Sequence, residues 1–72
     1  MLSSLMRCAE TGESVEIIYM DVRQRLTQRI VKPISFANGK MKAYCYVRRS
    51  FRVFAIDRIL SVRVLRKRAS GM

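Results

Sequence analysis

Asn38-Gly39 sits between two stretches in which apolar and polar residues alternate. Both residues tolerate positive φ, which a two-residue hairpin turn demands, so the flanking stretches must be adjacent antiparallel strands. On the C-terminal side Met41, Ala43, Cys45 and Val47 alternate with Lys42, Tyr44, Tyr46 and Arg48. That pattern predicts a strand with one small apolar face and one basic-aromatic face. On the N-terminal side Arg25 to Phe36 reads as a longer extended stretch, with Leu26, Ile30 and Ile34 spaced through charged neighbours. Pro33 has no N–H to give a ladder, so it belongs at an edge, a bulge or a bend.

The remaining chain fits around this hairpin. Leu2, Leu5, Met6 and Ala9 recur at helical spacing, predicting a short amphipathic helix over about residues 2–11. Ser3 or Ser4 caps its start, and Gly12 ends it in a left-handed turn. Val15, Ile17 and Tyr19 alternate with Glu16 and Ile18 as a strand, and Asp21 to Gln24 is a polar turn. Phe51 to Ile56 and Leu60 to Leu65 are two further strands, interrupted at Asp57-Arg58. Phe36, Phe51 and Phe54 are expected in the core, and the basic tail, residues 66–72, is expected to fray.

One domain is all that 72 residues allow. A chain of this size buries only about 60% of its unfolded surface, which favours self-association. Five sequential strands are too few for a two-sheet sandwich. The expected fold is mainly β: a short helix, then a five-stranded, strongly bent antiparallel small barrel over about residues 14–65. The helix caps one open end.

Charge narrows the function. Up to Val22 one base, Arg7, stands against Glu10, Glu13, Glu16 and Asp21, whereas from Arg23 onward fourteen bases face the single acid Asp57. Such a basic surface attracts phosphate polymers, anionic lipid heads or an acidic protein. No apolar run approaches the ~20 residues of a membrane span, and no amphipathic helix accompanies the basic tail, so membrane binding is not expected.

Catalysis finds little to work with. There is no His in the chain, which removes the commonest general base and the commonest metal ligand. The few acids suit no two-carboxylate mechanism, and Gly39 and Gly71 are too isolated for a phosphate-cradling loop. The expectation is a non-enzymatic protein with no cofactor and no metal. Cys8 and Cys45 lack zinc-ligand spacing and are read as two buried thiols, with a disulfide between them as the alternative. No signal peptide is read at the start, so the expected compartment is a reducing cytoplasm.

The residues that can bind lie mostly along one predicted face. Lys40, Lys42, Tyr44, Tyr46 and Arg48 share a strand side, and Arg52 begins the next strand. Arg and Lys neutralise phosphates while Tyr rings stack on unpaired bases, the combination used by single-strand binders. The bland alternative is a wet strand face on which the rings cover hydrophobic stems. Asp57 is expected to cap a turn or form an ion pair. Arg58 either joins the binding face or holds a turn together.

The run Met41-Lys42-Ala43-Tyr44-Cys45-Tyr46-Val47-Arg48, followed by Arg52-Val53-Phe54-Ala55-Ile56-Asp57-Arg58-Ile59, resembles the WYL domain of bacterial regulators. Val15-Glu16-Ile17-Ile18-Tyr19 and Val31-Lys32-Pro33-Ile34 resemble that family's first strand and its V-x-P segment. The resemblance implies an Sm-like barrel with an N-terminal helix that senses nucleic acids or nucleotides, single-stranded oligonucleotides among them. It implies ligand-facing roles for Tyr46, Arg48, Arg52 and Arg58, with Tyr44 and Lys42 beside them. The tripeptide that names the family falls on Gly39-Lys40-Met41, without its Trp and Tyr. Tyr46 stands where a His is common, and Arg49-Ser50 where the turn often has Gly.

The expectation is therefore a stand-alone, regulatory nucleic-acid-binding or nucleotide-sensing barrel, acting beside a larger partner or as a homodimer. The alternative is a protein-interaction or oligomerisation module whose basic surface meets an acidic or self partner.

Overall fold

The structure is a computed structural model and describes residues 2–65. Helix α1 (Leu2–Thr11) is followed by β1 (Ser14–Met20), β2 (Leu26–Ala37), β3 (Lys40–Cys45) and β4 (Ser50–Ala55), a 3₁₀ turn (Ile56–Arg58) and β5 (Ile59–Leu65). The strands form one antiparallel sheet in the order β4-β3-β2-β1-β5. The helix and the five-stranded bent sheet are as expected, except that Ser3 and Ser4 lie within α1 and do not cap its start. The basic tail, read as fraying, lies outside the described residues.

Chain length forces the sheet to roll. β4 and β5 occupy opposite edges, yet only Ile56–Arg58 separate them. A flat sheet of this order is about 19 Å across its four inter-strand gaps. A three-residue connection, part of it a 3₁₀ turn, reaches about 14 Å at most. The edges must therefore curl toward each other. Contacts across the seam confirm the roll: the Tyr19 ring packs edge-on to Phe54 at 5.0 Å, and the Ala55 N–H donates to Tyr19 Oη at 3.1 Å. Backbone pairing does not close the seam, since β4 is paired to β3 alone and β5 to β1 alone.

The core lies inside the roll. Val15 and Ile17 of β1, Val31 of β2, Met41, Ala43 and Cys45 of β3, Phe54 and Ile59 are buried together with Leu5 and Cys8 of α1. The helical stripe is thus centred on Leu5 and Cys8, while Leu2 and Met6 flank it and stay exposed. Gly12 closes α1 at φ +81°, with its N–H donating to Cys8 O at 2.8 Å. Both cysteines are buried thiols.

β2 departs from its expected pattern. Leu26, Ile30 and Ile34 are exposed, and Val31 and Pro33 are buried instead. The ladder with β3 slips between Pro33 and Ser35, so that Pro33 meets Ala43 and Phe36 meets Met41. The extra residue at Ile34 resets the alternation and turns both Pro33 and Phe36 inward. Proline causes the break because it cannot donate to the ladder.

The hairpin turn is as expected, with Asn38 at φ +53° and Gly39 at +72°, the two positive angles of a type I′ turn. A Cβ at Gly39 meets nothing within 4 Å, so Gly39→Ala tests backbone conformation alone. Urea unfolding should show a loss of about 1 kcal/mol. Unchanged stability would contradict the positive φ.

The β1–β2 turn depends on Asp21, whose Oδ1 accepts the backbone N–H groups of Arg23 and Arg25, each at 2.9 Å. The Arg25 amide, more than any other group, holds the Asp21 carboxyl below its usual 3.8. A lowered folded-state value means this stabilisation is present above the ordinary carboxylate range and is lost as pH falls through the lowered value. In urea titrations below about pH 4, wild type should lose stability more steeply than Asp21→Asn. Parallel curves would dismiss the turn as a pH-sensitive element.

Candidate functional site

The strand expected from Met41 through Arg48 ends at Cys45, because Tyr46 to Arg49 form a turn with Arg49 at φ +52°. Alternation stops there. Val47, expected inside, is 85% exposed. Lys40, Lys42 and Tyr44 do point to the outer face of β3, opposite the buried Met41, Ala43 and Cys45.

An aromatic cluster covers that outer face. Tyr44 is paired across the ladder with Phe51, their ring centroids 5.3 Å apart and nearly perpendicular. Tyr46 also meets Tyr44 edge-on at 5.6 Å, so the turn folds back over the strand face. Its hydroxyl lies 2.9 Å from Ser14 Oγ at the start of β1. Lys42 Nζ stands 5.2 Å from the centre of the Phe51 ring. Phe51, expected in the core, is 58% exposed. Its register explains this: Phe51 lies on the side of Tyr44, whereas Phe54 opposes the buried Met41. Phe54 and Phe36 do face inward as expected.

The arginines divide. Arg52 pairs with Ala43, which is buried, so it projects on the core side of β4 and away from Lys42 and Tyr44. It stays exposed because β4 is an edge strand. Arg48 is exposed in the Tyr46–Arg49 turn and lines a separate groove against Thr27, Gln28 and Arg29 of β2. Arg58 is half-buried, and its Nη1 donates to Asp21 O at 3.0 Å and to Met20 O at 3.5 Å. It holds the β1–β2 turn against the 3₁₀ turn. Asp57 is exposed and joins no ion pair among the described residues.

Of the six residues singled out from sequence, Lys42, Tyr44 and Tyr46 therefore come together, with Phe51 as a fourth member. Arg48 and Arg52 sit at the rim, and Arg58 is a structural tie. Phe51 is legible as the register partner of Tyr44 once the hairpin is counted from a turn centred on Val47-Arg48, which sets Cys45 against Ser50. Arg29 was passed over as well. It opposes the buried Ile17 and lies half-buried on the core side of β2, which its spacing of two from Val31 indicates.

No curated protein matches this chain. Its fold is similar to that of Proteasome accessory factor B/C (PafBC) of Arthrobacter aurescens, with a TM-score of 0.82 at 21% identity. The alignment covers 97% of this chain but only 12% of that one, so the likeness is of one domain's fold. The residues that depart from the family tripeptide, Gly39-Lys40-Met41, form part of the hairpin, and of the three only Met41 is buried. A profile of the WYL domain matches residues 1–64, nearly the whole sequence, and the chain belongs to the WYL domain family.

Proposed function

We propose that this WYL domain is a non-enzymatic, ligand-sensing regulatory module that binds single-stranded nucleic acid on the outer face of β3 and β4. The observation that carries the reading is the exposed Phe51 ring, braced by Tyr44 and topped by the Lys42 ammonium. An exposed ring held by an edge-on neighbour offers a stacking platform that needs little reordering on binding. Lys42 beside it, and Lys40 two residues further along the same face of β3, neutralise phosphates, and the chain's +10 charge draws a polyanion to the surface. Tyr46 extends the platform, and Arg48 and Arg52 continue the basic track around the rim. Arg58 supports the site through the turn it ties. The buried thiols suit a reducing, cytoplasmic setting, and no helix among the described residues is long and apolar enough to cross a membrane.

A second reading rests on the open seam. The outer edge of β4 is unpaired among the described residues and carries exposed Phe51 and Val53, a surface on which a second copy or a larger acidic partner can add a strand. Light scattering separates the two: a stable homodimer indifferent to oligonucleotides favours this reading.

Fluorescence anisotropy with labelled single strands and duplex of equal length, at several salt concentrations, tests the first. Single strands should bind more tightly than duplex, with log K falling by about 0.7 per phosphate contact as log salt rises. Phe51→Ala should weaken single-strand binding by about tenfold, from the 1–3 kcal/mol of one stacked base. Its melting temperature should hardly move, because the ring is largely exposed. Equal affinity for all three nucleic acids, or normal affinity in folded Phe51→Ala, would sink the reading.

A further inference from the structure

On the core side of the sheet lies a charge with no counter-ion among the described residues. Arg29 is half-buried, its Nε donates to Thr27 Oγ1 at 3.2 Å, and its guanidinium lies 5.8 Å from the centre of the Phe54 ring. Its two terminal nitrogens make no hydrogen bond among the described residues, and the only ion pair there is Arg63 with Glu16. The contrast with Arg58, the other half-buried arginine, is plain: Arg58 spends its donors on backbone carbonyls. A guanidinium withdrawn from water is normally paired or hydrogen-bonded, because desolvating it alone is costly. Here the fork is fixed from behind and its free end is left open.

Arg29 also lines a groove of about 200 Å³, together with Thr27, Gln28, Cys45, Val47 and Arg48. Two arginines therefore line one small concavity. Among the described residues no carboxylate belongs to its lining, and the Gln28 amide is committed to Glu16. Two forks of N–H donors with no acceptor suit a compact anion with several oxygens better than a flat carboxylate. We propose that this groove is a phosphate-monoester site in which Arg29 and Arg48 clasp the anion, distinct from the stacking face on the other side of the sheet. The phosphate belongs to a free mononucleotide or to the end of an oligonucleotide, and the two sources share this chemistry.

Two-dimensional ¹H–¹⁵N NMR of the full chain tests it, with inorganic phosphate titrated against chloride at matched ionic strength. Phosphate should move the amides of residues 27–29 and 45–48 saturably, and chloride should not. Arg29→Gln should weaken the phosphate response by about tenfold. Arg7→Gln, which removes the same charge from α1, should leave it intact. Arg29→Lys, which keeps the charge and loses the fork, should fall between and guards against a misfolded Gln variant. Adenosine 5′-monophosphate and a tetranucleotide with or without a 5′-phosphate then identify the source by which binds more tightly through the same amides. A phosphate response no larger than that of chloride overturns the site. So does a wild-type response in a folded Arg29 variant. Phe51→Ala should leave the phosphate response unchanged, so failure of the stacking face and failure of this site are separately visible.

Discussion

The three-residue link between β4 and β5 is the constraint on which the rest of this structure depends. It joins strands that lie on opposite edges of the sheet, and a chain that short cannot cross a flat one. The sheet rolls, and rolling creates an inside for a chain otherwise too short to build a two-layer core. Tyr19 secures the roll by placing its ring on Phe54 and its hydroxyl at the Ala55 amide. Arg58 secures the adjoining corner by holding the Met20–Asp21 turn. Removing either tie leaves hydrogen-bonding groups on the other side without partners, at about 1–3 kcal/mol for each one that stays buried.

Rolling also separates the chemistry into two surfaces. Residues on the convex side of β3 and β4, Lys42, Tyr44 and Phe51, present rings and ammonium groups to solvent. Arg29 and Arg52 lie on the concave side, opposite the buried Ile17 and Ala43, and Arg48 shares a groove with Arg29. Stacking needs a broad open face, whereas anion capture needs a concavity that limits water. Strand alternation keeps the two surfaces apart, as neighbouring residues of β4, Phe51 and Arg52, show by pointing in opposite directions.

Much of this was legible in the sequence, for identifiable reasons. Asn38-Gly39, Pro33 and Gly12 are residues whose backbone chemistry permits few conformations, and each marks the turn, bulge or helix end expected of it. The β1 alternation was equally clear, since its inward positions are all large and apolar. The site was harder to read where the period breaks without a proline or glycine to announce it. Arg49 adopts positive φ and ends β3 early, so Val47 is exposed and Tyr46 reaches the face by folding back from a turn. On β4 the inward position Arg52 is charged and the outward position Phe51 is apolar, the reverse of an ordinary amphipathic strand. An edge strand tolerates that reversal because its inner face is only partly covered. Alternation alone therefore assigned Phe51 to the core, and pairing with Tyr44 corrects it.

Ultraviolet crosslinking of a short single-stranded oligonucleotide to the intact chain, followed by mass spectrometry of the peptides, tests the stacking face most directly. Such crosslinks form where a base lies in direct contact with a side chain, and a stacked ring is a favoured partner. Adducts should fall on Tyr44, Tyr46 or Phe51, fade with rising salt, and be absent with duplex. Adducts confined to Tyr19 or Phe36, or none at salt where the strand is still bound, would contradict a single-strand-binding surface on β3 and β4.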